Sequence, residues 1–160
     1  MAKGRGPERF KDLMKRSNRD RDASKATVSI LRADSRVAQV LERALGQADL
    51  SLPQFNVLME LASSPAAALP LYELTARLTS TAPNMSWLAS RMVETGLVSK
   101  ERDPSDSRVV MVKLTKRGWA RLGAAAPLVF ATEKELFAAY PRADLRRMAD
   151  LLSRLLDDPT

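Results

Sequence analysis

Hydrophobic positions along the chain recur at two different periods, and the switch between them organises the reading. Ile30, Leu31, Val37, Ala38, Leu41 and Leu45 share one face of a helix expected over residues 27–47, with Gly46 near its end. Asp34 falls inside that stripe, where a carboxylate needs a partner: Arg36, Arg32 or a group on another subunit. Leu52-Pro53-Gln54-Phe55 opens a second helix, with Pro53 in its first turn and Val57, Leu58 and Leu61 following. Residues 63–70, with two prolines and an alanine run, read as a loop. Leu71, Leu74 and Leu78 mark a short helix that Thr79-Ser80-Thr81 breaks. Thr81 suits an N-cap, Ala82 and Pro83 suit a first turn, and the next helix runs to Thr95-Gly96, where glycine supplies a left-handed stop.

The period then falls to two. Val98-Ser99-Lys100-Glu101-Arg102 is one short strand; in Val109-Val110-Met111-Val112-Lys113-Leu114, Val110, Val112 and Leu114 alternate with Val109, Met111 and Lys113. Thr115 caps a long helix carrying Leu122, Leu128, Val129, Leu136 and Phe137, expected to bend at Pro127 and to end at Tyr140-Pro141. A last helix over residues 144–156 shows Leu145, Met148, Leu152 and Leu155 in register, widened by Leu151 and Leu156. Two helices separated by a three-residue turn, the second followed at once by a hairpin, spell a winged helix-turn-helix. The terminal leucines exceed what a small module of that kind covers, and a dimer would bury the surplus.

Composition narrows the function classes. The 160 residues make one ordinary domain's worth of chain, with 26 Lys and Arg against 19 Asp and Glu for a formal charge of +7. Residues 1–26 hold Lys3, Arg5, Arg9, Lys11, Lys15, Arg16, Arg19, Arg21 and Lys25 against Glu8, Asp12, Asp20 and Asp22, or +5 of that excess. Phe10, Leu13 and Met14 form one short helical stripe in this arm, and residues 17–23 read as linker. A basic excess points to polyanions or anionic surfaces, and the arm is as readily a solvated tail as a nucleic-acid contact. With no cysteine, disulfides, thiolate zinc sites and thiol redox switches are excluded within the chain; with no histidine, the commonest general base and metal ligand is missing. No nucleophile elbow, phosphate-cradling glycine loop or HExxH helix occurs, so no catalytic residue, metal site or cofactor is assigned. The longest apolar stretch, residues 122–131, contains Gly123 and Pro127 and is too short for a membrane span. No hydrophobic segment follows the basic start, so no signal peptide is read and a cytoplasmic protein is expected.

The chemistry concentrates in two adjoining places. On the helix after Thr81, Met85, Leu88, Ala89, Met92 and Val93 make the apolar face, which leaves Asn84, Trp87, Arg91 and Glu94 opposite and Pro83, Ser86 and Ser90 at the margins. An amide, a hydroxyl and an arginine near the start of such a helix are what base edges and phosphates require. Between the strands lies Asp103-Pro104-Ser105-Asp106-Ser107-Arg108. Most polar hairpin tips are solvated turns, and Asp-Pro-Ser-Asp is good turn chemistry in itself. Attached to a helix-turn-helix, though, the tip reads as a wing in which Asp106 braces Arg108 for the minor groove.

Several short motifs carry a resemblance. Leu52-Pro53-Gln54-Phe55 with Val57-Leu58, Leu71-x-x-Leu74, Glu94-Thr95-Gly96-Leu97-Val98, Asp103-Pro104-x-Asp106-x-Arg108 and Leu114-Thr115-x-x-Gly118 together resemble the multiple antibiotic resistance regulator (MarR) family of bacterial transcription factors, over residues 28–156. The resemblance implies an all-helical dimer of triangular outline with one wing per subunit. It further implies a palindromic operator, usually repressed and released by a small, often aromatic and anionic, ligand. Many members have two arginines after the wing aspartate, where this chain has Ser107 before Arg108, and Trp87 stands where a polar or basic residue is common.

The expectation is therefore a mainly α fold: a winged helix-turn-helix with a small β-hairpin wing and N- and C-terminal dimerisation helices. Residues 1–26 would be a basic extension, 27–48 and 119–160 the dimerisation region and 49–118 the DNA-binding lobe. Pro83, Asn84, Ser86, Trp87, Arg91, Asp106 and Arg108 are the candidate contacts to double-stranded DNA. Arg32, Arg36, Phe55 and Trp119 are candidate liners of a pocket for a small aromatic or anionic effector. The rival reading is a dimeric protein-interaction module that has kept the fold, for which an exposed Trp87 would be the anchor.

Overall fold

The computed structural model describes residues 18–78 and 80–157 and is mainly helical. Two compact units divide after Gln39. The first helix, α1 (Asn18–Leu45), passes through that boundary. In the first unit Val28 and Leu31 are exposed and Ile30 is half-buried. Residues 18–23, expected as linker, are helical within α1. No apolar stripe marks this stretch; side chains of the next turn bond back to it, Ser24 Oγ donating to the Asp20 carbonyl and Thr27 Oγ1 to that of Ala23. Asp34 is exposed within the chain, where water solvates its carboxylate.

The second unit starts where α1 becomes buried, at Leu41, Ala44 and Leu45. A 3-10 turn, Gly46–Ala48, follows, and the left-handed residue that closes it is Asp49 (φ 51°) rather than Gly46. Arg121 secures the corner, donating to the Ala48 carbonyl and to the Asp49 carboxylate at 3.2 and 2.9 Å. Helix α2 (Leu52–Ser63) has a capping box: Gln54 N–H donates to Ser51 Oγ and Ser51 N–H to Gln54 Oε1. It buries Phe55, Val57, Leu58 and Leu61, three of them completely; each such aliphatic side chain is worth about 1.5–3 kcal/mol of burial.

The segment expected as a loop over residues 63–70 contains a third strand, β1 (Ala68–Pro70). Buried Ser64 makes it, its hydroxyl donating to the Leu61 and Ala68 carbonyls and accepting Ala68 N–H at 2.9 Å. Ala67 takes a positive φ of 48° and its carbonyl accepts Leu114 N–H. The following residues are thereby laid along the wing strands. β2 (Val98–Arg102) and β3 (Val110–Leu114) complete an antiparallel sheet in the order β1-β3-β2, with Leu69 opposite Val112 and Lys100 opposite Val112 on its other side. Val112 and Leu114 are buried on one face while Lys113 points out, the alternation the sequence predicts.

Helix α3 (Leu71–Arg77) buries Leu74 completely, and α4 (Ala82–Glu94) buries Met85, Ala89 and Met92. Val93, placed on the apolar face by periodicity, is 39% exposed at its edge. Helix α5 (Lys116–Leu136) is capped by Thr115 Oγ1, which accepts Gly118 N–H at 3.0 Å, and runs through Pro127. It stops four residues before the expected Tyr140-Pro141 boundary, in a turn where Phe137 and Tyr140 stack edge to face. Helix α6 (Arg142–Asp157) carries Met148, Leu151, Leu152, Leu155 and Leu156 exposed.

Candidate nucleic-acid interface

Helix α4 enters through Thr81, whose extended backbone suits an N-cap but whose side chain makes no capping bond; the Thr81 carbonyl accepts Met85 N–H instead. The helix leaves through a Schellman motif in which Leu97 N–H donates to the Met92 carbonyl and Gly96 N–H to that of Val93, with Gly96 at φ 71°. These two ends and the buried Met85, Ala89 and Met92 fix its rotation. Pro83, Asn84, Ser86, Trp87, Ser90, Arg91 and Glu94 are then all exposed, Trp87 by 67%. Arg91 pairs with Glu94 at 2.7 Å, an exposed contact worth little that a phosphate would readily displace.

The wing turn is held by its own carboxylates. Asp103 accepts from Ser105 Oγ, Ser105 N–H and Asp106 N–H, and these bonds, that of the serine hydroxyl foremost, keep its carboxyl below the ordinary aspartate range. Asp103 N–H closes the neck of the turn on the Val109 carbonyl, and Val109 N–H returns to that of Asp106. Asp106 Oδ1 accepts Arg108 N–H at 2.9 Å and stands 3.6 Å from Arg108 Nε. The guanidinium is thus held near a carboxylate while its side chain remains 93% exposed. Such a group can enter a narrow, negative groove without first being freed from the protein.

Three comparisons bear on this geometry. A model of the MarR family matches residues 48–109, the segment from the 3-10 turn to the wing. The transcriptional regulator HosA of Escherichia coli O111:H- is 28% identical over 109 residues, 68% of this chain and 79% of HosA. Among solved structures, a mutant MarR from E. coli complexed with operator DNA superposes with a TM-score of 0.78 and 25% identity, covering 88% of this chain and 99% of that one. Sco3205, a MarR family transcriptional regulator from Streptomyces coelicolor in complex with DNA, superposes with a TM-score of 0.80 at 23% identity, covering 86% and 88%. Over residues 48–109 the chain matches the MarR family, and the solved structures it resembles are MarR regulators.

The sequence-selected residues of α4 and the wing all lie on exposed surface of the second unit. The effector candidates are divided between the two units. Arg32 and Arg36 are exposed in the first; in the second, Phe55 is 5% exposed, a core side chain, and Trp119 is 47% exposed. Sequence reasoning passed over two cations on β2. Lys100 Nζ donates to Ser90 Oγ and the Ser86 carbonyl, and Arg102 Nη1 to the Ser107 carbonyl at 2.7 Å. Their spacing of two on a strand was the available signal, since it places both on one face. Among the described residues no helix is long and apolar enough to cross a membrane.

Proposed function

We propose that this chain is a MarR-family regulator that binds a palindromic operator as a homodimer and acts as a repressor that a small ligand relieves. One observation carries the reading: α4 exposes Pro83, Asn84, Ser86, Trp87 and Arg91 together, beside a wing whose Arg108 is braced by Asp106 and projects into solvent. Asn84 and Ser86 then meet base edges in the major groove, Trp87 covers a thymine methyl or sugar-phosphate, Arg91 meets phosphates and Arg108 the minor groove. The operator-bound relative from E. coli supports this use of the fold. Residues 49–118 are the reading lobe in this account, with 27–48 and 119–160 forming the dimer and residues 1–26 a basic arm. The exposed leucines of α6 support a partner of the same kind, which would set two reading helices about 34–36 Å apart on successive major grooves. An aromatic or anionic effector that favours another subunit spacing would release the DNA, with Arg32, Arg36 and Trp119 as the side chains to test first. In this reading the protein works in the cytoplasm, where it meets its operator.

The test begins by enriching duplexes from a randomised pool with the full chain. Hydroxyl-radical footprints should show two protected patches one helical turn apart, and light scattering should give a dimer. An asymmetric footprint or a monomer at binding concentrations would overturn the dimeric reading. The competing account, a protein-interaction module, draws on the 67% exposure of Trp87. It gains if Trp87→Ala binds the enriched duplex normally yet loses a protein partner.

A further inference from the structure

The two DNA-reading parts of the lobe are joined by side chains as well as by backbone. Lys100 lies in the middle of β2, opposite Val112 on β3, and is half-buried. Its ammonium reaches across to α4, 2.9 Å from Ser90 Oγ and 3.3 Å from the Ser86 carbonyl. Ser90 Oγ donates its own proton to that same carbonyl at 2.8 Å, so its lone pairs are left to accept from Lys100. Two residues on, and on the same face of the strand, Arg102 Nη1 donates to the Ser107 carbonyl, one residue before Arg108. The strand between the two cations is paired to β3 throughout, Lys100 to Val112 and Arg102 to Val110. A continuous chain of contacts therefore runs from the reading helix through β2 to the wing arginine.

We propose that Lys100, with Arg102 as its counterpart toward the wing, is a positioning residue that fixes the offset between the reading helix and Arg108 and so sets sequence discrimination without touching a base. This rests on the DNA-reading assignment made above. A reader with two probes in different grooves discriminates only if both arrive in register; a loose wing still finds phosphates, which every duplex offers. Lys100 has two alternatives. As a phosphate contact it would add equally to all duplexes and to the salt dependence. As a purely structural residue its loss would lower the folded fraction and weaken all binding by one factor.

The experiment uses the full chain, the duplex that the wild type enriches from a randomised pool and a scrambled duplex of the same composition, each titrated over a range of salt. Lys100→Met keeps the aliphatic stem and removes the donors; Ser90→Ala removes the acceptor and leaves the charge. Both should reduce the ratio of enriched to scrambled affinity about fivefold to tenfold, the scale of one ordinary solvent-exposed hydrogen bond. Neither should change the slope of log affinity against log salt on the scrambled duplex, and Lys100→Arg should restore most of the ratio. If Lys100→Met flattens that slope by about 0.9 and weakens both duplexes alike, it contacts phosphate and the proposal falls. An unchanged ratio in Lys100→Met and Ser90→Ala also overturns it, while leaving the DNA-reading assignment standing. Should the wild type itself enrich no duplex, that assignment fails and the positioning role fails with it.

Discussion

Gly118 is the position where a single methyl group should do most damage to the wing lobe. It is the third residue of α5, and a Cβ built there would lie 2.2 Å from the Leu97 carbonyl oxygen, 3.2 Å from its carbon and 3.4 Å from Leu114 Cδ1. The carbonyl cannot swing away freely, because it accepts Thr115 N–H at 3.2 Å and Thr115 Oγ1 at 3.0 Å. Overpacking of this kind costs about 1–3 kcal/mol, and pulling Leu97 off Thr115 adds about 1 kcal/mol for a lost hydrogen bond. The better helix propensity of alanine offsets up to about 1 kcal/mol. Gly118→Ala should thus lose about 1–3 kcal/mol, a fall of roughly 2–12 °C in Tm for a chain of this size, compared at equal protein concentration. Gly123, in the same helix, has nothing within 4 Å of its virtual Cβ and serves as the control. Gly123→Ala should gain up to about 1 kcal/mol. Thermal unfolding followed by circular dichroism reads both. The reasoning is refuted if Gly118→Ala melts at or above the wild-type temperature, or if the two substitutions move Tm alike.

Other expectations follow from the same contacts. Arg108→Ala should weaken binding to the enriched duplex by about 1–3 kcal/mol in anisotropy titrations, with Asp106→Ala less damaging because the cation remains; normal affinity in both would take the wing out of the mechanism. Deleting residues 1–17, which lie outside the described structure and carry six basic and two acidic side chains, should reduce affinity for all duplexes equally and flatten the salt dependence. Replacing Leu152 and Leu155 with Arg should give monomer or insoluble chain by light scattering; a soluble dimer would place the interface elsewhere. Asp103, whose carboxyl sits below its ordinary range, contributes order to the wing that is fully present above the unfolded aspartate pKa and is lost as pH falls through the lowered folded value. The Ser105 and Asp106 amide resonances should therefore hold their positions from neutral pH down to about 4 and move only in stronger acid.

Much of the fold is written in the chain as periodicity, because each helix of the lobe has to bury one stripe. Leu52 through Leu61, Leu71 through Leu78 and the Met85–Ala89–Met92 row are all visible for that reason, as is the change to alternation at Val98. Gly96 is legible because only a left-handed residue ends α4 where β2 must begin. What lacks a local signal is missed. Ala68-Leu69-Pro70 has little strand propensity and becomes a strand through its pairing with β3 and the Ser64 clamp, both set by tertiary structure. The helical residues 18–23 have no apolar face to announce them. At the candidate interface, exposure of Asn84, Trp87 and Arg91 follows from helix rotation, but the reach of Lys100 to Ser90 depends on the distance between a strand and a helix, which no spacing along the sequence encodes.

The central claim, that α4 and the wing read DNA together, is tested most directly by one comparison of affinities. Anisotropy titrations of the full chain on its enriched duplex and on the scrambled one should give an enriched-to-scrambled ratio that falls in Asn84→Ala and in Arg108→Ala, while Tm stays at the wild-type value. Binding to both duplexes should weaken steeply with salt, as multiple phosphate contacts require. Equal affinity for enriched and scrambled duplexes, or a ratio that neither substitution changes, would contradict the account.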